Sequence, residues 1–244
     1  RHEFAARTLT DIREYVVGDE ESRKVLSMFG EIPLRRSGLV PHQLTTSKRS
    51  GQDTGAVILK AATWNVCGGQ KSDQAPVGWS QADQRSELAN EVLRWDCDVV
   101  SLQEVESEVP VERLLHRYSH VGSSKSSRLH SRGFVQLYVS KTLTFARRDC
   151  VRPGAVVCSL SVKVEGSDID HRLALAAVHL PSSMAEAQVR TRSSILEEIV
   201  RSSDGTGILI LGDTNCKDDE ATDVCKKNEL REASYIGSSW GSRS

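Results

Sequence analysis

The sequence predicts an α/β domain built as a two-layered β-sandwich flanked by helices. Three observations carry this: short apolar runs rich in β-branched residues, helical stretches between successive runs at two places, and continuously apolar runs such as Ile208–Leu211 that require burial on both faces. Strand, helix, strand occurring twice puts the helices over the outer faces of stacked sheets. The 244 residues are 38% hydrophobic and 27% charged with a formal net charge of −1, the profile of an ordinary globular protein with one substantial core. Because the net charge is near zero, any polyanion binding must come from a local basic patch.

Taken in chain order, residues 1–30 carry Ala5, Leu9, Ile12 and Val16, then Val25, Leu26 and Phe29, a spacing that predicts two short amphipathic helices broken at Gly18-Asp19. Residues 31–56, with two prolines and a Ser/Thr/Gly/Gln-rich run, read as a linker. The main domain is residues 57–244. Its predicted strands are Val57–Val66, Asp98–Gln103, Phe134–Val139, Val156–Val164, Arg172–Leu180 and Gly207–Leu211. Its predicted helices are Gln81–Arg94, with Leu88, Val92 and Trp95 on one stripe, and Met184–Arg201, with Val189, Ile195, Leu196 and Ile199 inward. Six cysteines without a C-x-x-C pair favour reduced intracellular thiols over a zinc site or a disulfide framework. No run approaches the roughly 18 apolar residues of a membrane span, and Arg1-His2-Glu3-Phe4 has no signal-peptide pattern.

Polar residues stand where four apolar runs stop. They are Asn65 in Thr63-Trp64-Asn65, Glu104 in Leu102-Gln103-Glu104-Val105, His179 in Val178-His179-Leu180, and Asp213 with Asn215 in Gly212-Asp213-Thr214-Asn215. Carboxylate and amide oxygens suit a hard cation such as Mg²⁺, which keeps several waters for a phosphate to replace. Singly, each residue has a plainer explanation: a Glu after a strand is commonly a solvated strand end, a lone His a satisfied structural residue, and Gly-Asp-Thr-Asn a turn capped by its own side chains. The ordered set, each member at the end of its own apolar run, is what points to phosphoryl transfer.

In this order, these motifs resemble the successive signatures of the endonuclease/exonuclease/phosphatase superfamily over about residues 57–220. Thr214 between Asp213 and Asn215, followed by Lys217-Asp218-Asp219-Glu220, is similar to the type 2 (5′-) tyrosyl-DNA phosphodiesterases. The resemblance implies a DNase I-like fold and a Mg²⁺- or Mn²⁺-dependent phosphodiesterase acting on 5′-phosphotyrosyl DNA in repair, monomeric and nuclear. It makes Glu104 the main metal ligand, Asn65 a ligand or phosphate contact, and His179 a donor to the phosphate. Asp213 would orient or deprotonate the attacking water, and Asn215 would hydrogen-bond the water or phosphate. Direct attack by water needs no covalent enzyme intermediate.

This chain departs from the pattern at Cys67, where the superfamily usually has an acidic residue, and at Pro181, where the phosphodiesterases have Glu. The Asp-His motif of the superfamily's last strand does not follow Asn215, so a domain incomplete at its C-terminus, poorly folded or nearly inactive as it stands, is expected. A basic segment between residues 113 and 152 includes Arg128 and Arg132 as candidate substrate contacts, with Ser123–Ser127 as a mobile tip. The alternatives are another branch of the same superfamily, acting on RNA or a phosphoester small molecule, and a catalytically dead module that binds nucleic acid or protein.

Overall fold

A computed structural model describes residues 9–17, 24–26, 57–66, 81–126, 133–148, 153–163, 170–203 and 206–232. In chain order the elements are β1 (Leu9–Val17), β2 (Lys24–Leu26), β3 (Val57–Asn65), α1 (Gln81–Trp95), β4 (Val99–Val105), a short 3-10 helix (Glu112–His116), β5 (Tyr118–Lys125), β6 (Phe134–Ser140) and β7 (Thr144–Arg148). There follow β8 (Ala155–Lys163), β9 (Asp170–His179), α2 (Glu186–Arg201), β10 (Gly207–Asp213), α3 (Asp218–Lys227) and β11 (Arg231–Glu232). They form a five-stranded sheet, β1-β3-β4-β6-β5, and a six-stranded sheet, β11-β2-β10-β9-β8-β7. The predicted sandwich is the observed one.

Burial alternates along the strands as a two-sided sheet requires. Leu59, Val99, Leu137, Leu160, Leu175, Leu209 and Leu211 share the core between the sheets. Ala174, Ala176, Ile208 and Ile210, from the opposite face, pack with Ile195, Leu196 and Ile199 of α2. Val92 and Trp95 of α1 pack with Val100, Leu102 and Tyr138 on the other outer face. Each central strand is therefore buried on both sides, and its sequence is apolar without interruption for that reason. Among the described residues no helix is long and apolar enough to cross a membrane.

Two parallel pairs set the position of the site. β3 and β4 run parallel with Asn65 opposite Gln103, and β9 and β10 run parallel with His179 opposite Asp213. A parallel pair needs a crossover, supplied by α1 for the first and α2 for the second. Both crossovers bring two carboxyl ends to one edge of a sheet, the edge where open α/β sheets hold ligands.

Two expectations are corrected, and one helix is added. Leu9–Val17 and Lys24–Leu26 are strands rather than a helical extension. β1 pairs antiparallel with the whole of β3, from Leu9 opposite Asn65 to Val17 opposite Val57. Pairing along an otherwise open edge, by a segment holding Thr10, Ile12, Tyr15, Val16 and Val17, outweighs a helical spacing of Leu9, Ile12 and Val16. Ser123–Lys125 lie in strand β5, paired with Val135, Gln136 and Phe134, rather than at a mobile tip. Asp218–Lys227, read only as a motif tail, is a helix. The 31–56 linker, Cys67, Arg128 and Arg132 lie outside the described residues.

Candidate active site

The inward rows of three strands end in polar residues. On β3 the row Leu59, Ala61 continues to Thr63 and Asn65. On β9 it runs Leu173, Leu175, Ala177 to His179, and on β10 Leu209, Leu211 to Asp213. Period-two geometry alone therefore aims Asn65, His179 and Asp213 between the sheets at one end of the sandwich.

Glu104 reaches the same place by breaking that period. On β4, Leu102 and Val105 both belong to the outer-face cluster although they are three residues apart. One extra residue is accommodated by a register shift against β6 between Leu102 and Val105. Glu104 takes φ 56°, a left-handed conformation uncommon for Glu. Gly133 makes room for it: a Cβ there would lie 2.5 Å from the Glu104 Cα. Asn215 also has a left-handed φ, 52°.

The four residues converge. Asn65 Nδ2 donates to Glu104 Oε1 at 3.1 Å and to Asp213 Oδ2 at 3.2 Å, joining carboxylates from two sheets. His179 Nε2 lies 3.6 Å from Glu104 Oε1. The Asn215 backbone N–H donates to Asp213 Oδ1 at 3.0 Å, and its side-chain Nδ2 donates to Leu180 O at 2.8 Å. Asn65 and His179 are buried and Glu104 and Asp213 half-buried, so the cluster opens to solvent on its carboxylate side. Among the described residues no Lys or Arg forms an ion pair with Glu104 or Asp213. Two half-buried carboxylates sharing one amide, with no Lys or Arg paired to them among the described residues, leave anionic charge to be balanced, and the oxygen donors suit a hard divalent cation.

Beneath the cluster is a buried polar ladder. Thr63 Oγ1 donates to Gln103 Oε1 at 3.2 Å, Gln103 Nε2 to Ser101 Oγ at 2.6 Å, and Ser101 Oγ to Leu211 O at 3.4 Å. It links β3, β4 and β10 within three residues of Asn65, Glu104 and Asp213, tying the sheets together below the site.

Sequence reasoning missed Ser126. Its hydroxyl lies 2.8 Å from His179 Nδ1, is buried, and comes from a segment 53 residues away. Nothing local in Lys125-Ser126-Ser127 signals it. It also missed Arg192, a charged residue on the buried stripe of α2 with Gln188, Ile195, Leu196 and Ile199. A cation on an apolar stripe was the available signal. Next to Asn215, burial reinforced by the Glu220 carboxylate pushes the Cys216 thiol up to about 12, which keeps it protonated near neutral pH. From the basic segment, Arg113 bonds Ser86 and Arg117 pairs with Asp96, so both have local structural partners. An open groove of about 420 Å³ lined by Glu197, Arg201, Lys227 and Asn228 lies at the C-terminal ends of α2 and α3, away from the cluster.

The profile of the Endonuclease/Exonuclease/phosphatase family matches residues 62–223, well over half of the chain. No curated protein matches the sequence. Among solved structures the chain is similar to D. rerio TDP2 humanized by 14 mutations, with 19% identity and a TM-score of 0.45 over 66% of this chain and 64% of that one. It is also similar to TDP2 from C. elegans, with 20% identity and a TM-score of 0.39 over 59% and 47%, and to the human Nocturnin catalytic domain with bound sulfate, with 14% identity and 0.45 over 62% and 64%. The chain spans less than two thirds of the length of each of these.

Proposed function

The chain belongs to the Endonuclease/Exonuclease/phosphatase family, and from that premise we propose that it hydrolyses phosphodiester bonds by direct attack of water, with 5′-phosphotyrosyl DNA as substrate. The observation that carries the hydrolytic reading is the single Asn65 amide held between Glu104 and Asp213, with His179 beside them. Glu104 and Asn65 would hold Mg²⁺ or Mn²⁺. When bound, such a cation balances charge on the non-bridging phosphate oxygens. For Asn65 the amide would turn to offer its oxygen, a rotation by half a turn that exchanges two atoms of nearly equal size.

The remaining steps belong to side chains of this chain. Asp213, fixed by the Asn215 N–H through Oδ1, accepts the proton of the attacking water. The Asn215 amide oxygen is left to orient that water, because its Nδ2 is engaged by Leu180 O. When the Ser126 hydroxyl donates to His179 Nδ1, the imidazole proton sits on Nε2, placed to donate to a phosphate oxygen as charge develops there. Thr214, buried between Asp213 and Asn215, is the residue that favours the tyrosyl-DNA branch, by motif resemblance.

A 5′-phosphotyrosyl oligonucleotide, an abasic duplex and poly(A) RNA, offered side by side to the protein extended through the Asp-His strand that the resemblance implies, test this reading. Release of tyrosine from the first alone, abolished by chelator, is expected. Faster cleavage of the abasic duplex or the RNA moves the substrate to another branch of the family. Failure to turn over any of the three in Mg²⁺ or Mn²⁺ defeats the hydrolytic reading and favours a binding module.

A further inference from the structure

α2 buries a stripe at i, i+4, i+7, i+8 and i+11, and one of its five members is an arginine. Arg192 is fully buried. Its guanidinium makes a two-pronged contact with Glu220, Nε to Oε1 at 2.7 Å and Nη2 to Oε2 at 2.5 Å. The other terminal nitrogen, Nη1, donates to Pro181 O at 2.6 Å and Ser183 O at 2.8 Å. The Arg side chain can meet both a carboxylate and two carbonyls because its donors are fixed in a planar fork.

The partners lie on the two segments that carry half of the site. Pro181 and Ser183 follow His179 by two and four residues, and Glu220, in the first turn of α3, follows Asn215 by five. Between them the same segments are stitched directly: Leu180 N–H donates to Asp213 O at 2.9 Å, and Asn215 Nδ2 donates to Leu180 O at 2.8 Å. A buried ion pair is weak as a source of stability, since apolar residues of similar volume often do as well or better. Its geometric specificity is what apolar packing would not reproduce.

We propose that Arg192 and Glu220 are positioning residues that hold the segment after His179 in register with the segment carrying Asp213 and Asn215. The proposal rests on the hydrolytic reading of that site. Neither side chain touches the reacting atoms. They act through Leu180 and Asn215, and a misplacement of about 1 Å at such a remove can lower a rate by on the order of 10²-fold.

Three variants test it: Arg192→Lys, Glu220→Gln and the paired Arg192→Met/Glu220→Met. The Lys variant keeps the charge and loses the fork. Because either single change leaves a partner buried without its match and can unfold the chain, the paired variant, which removes both charges, is decisive. Hydrolysis of bis(p-nitrophenyl) phosphate with Mn²⁺ gives kcat and KM, thermal melting gives the fold, and hydrogen exchange reads the Leu180 and Asn215 amides directly. The expected result for the paired variant is a melting temperature at or above that of the parent, kcat lower by about 10- to 100-fold with KM within about threefold, and faster exchange at Leu180 and Asn215. Strand amides such as Leu209 should keep their protection. Recovery of parental kcat with the restored fold would make the pair merely structural and overturn the proposal, as would parental exchange at Leu180 and Asn215. If the parent itself turns over no diester, the hydrolytic reading fails, and exchange still decides whether the pair sets the register of the two segments.

Discussion

The two halves of the site are built alike and held differently. In each, a parallel strand pair crossed by a helix delivers two chain ends, and one non-glycine residue takes a left-handed backbone: Glu104 at φ 56° on β4, Asn215 at φ 52° after β10. In each, a glycine lets backbone approach where a side chain would collide, Gly133 against Glu104 and Gly212 against Val178. Glu104, however, lies inside a strand, with a bulge pinned by pairing to β6 and a buried polar ladder beside it. His179, Asp213 and Asn215 sit at or beyond strand ends, and side-chain hydrogen bonds tie their segments. Register and steric exclusion admit almost no intermediate states, whereas hydrogen bonds can be weakened one at a time. Substitutions on the β4 side should therefore act as switches, and those on the loops of the β9–β10 side as dials.

The glycines give the largest expected effects and test the shared part of the comparison. At Gly212, φ is 138° and a Cβ would stand 2.0 Å from Val178 O, backbone of the neighbouring strand, so neither partner can rotate away. Gly212→Ala should cost about 3 kcal/mol or more of stability in denaturant melts. Gly133→Ala, whose Cβ would meet the Glu104 backbone, should destabilise in the same way and displace the carboxylate. An unchanged midpoint for both would mean the strands separate easily there, and the claim of steric fixation would fail.

Next in size is Glu104→Gln, which sharpens the switch side. It keeps the shape and removes the charge proposed to hold the cation. Turnover should fall by at least on the order of 10²-fold while the melting temperature stays level or rises, because Glu104 and Asp213 share a single amide donor and repel each other. Unchanged Mg²⁺ affinity by calorimetry would remove Glu104 from the metal site.

What could be read in the sequence follows from how locally each feature is encoded. The inner strands and both long helices were legible because burial on two faces leaves continuous apolar runs, as in Ile208–Leu211, and because Val92, Trp95, Ile195, Leu196 and Ile199 keep the helical period. The convergence of Asn65, Glu104, His179 and Asp213 was legible from their places at run ends, but the backbone reversal that aims Glu104 was not, since a bulge depends on its partner strand. β5 escaped notice because an edge strand with only Tyr118, Val121 and Gly122 buried in its first seven positions reads as a polar loop. β1 was misread because three apolar residues at helical spacing also fit a strand once an unpaired edge is available.

Ser126→Ala should give the smallest of these effects and tests the dial side at one bond. The hydroxyl is 2.8 Å from His179 Nδ1 and is buried, so no bulk water stands ready to replace it. Its removal leaves Nδ1 without the partner that fixes both the ring orientation and the nitrogen that carries the proton. Alanine fills nearly the same space, and the Ser126 backbone N–H still donates to Gly133 O, so the fold should be kept. The expected loss is on the order of tenfold in kcat, the low end of what removing an orienting partner costs at metal sites, with KM little changed. Thr at this position, which restores a hydroxyl, should recover part of the rate. Parental kcat in the Ala variant would show that β9 alone orients His179, and the β9–β10 half would then be as rigid as its counterpart.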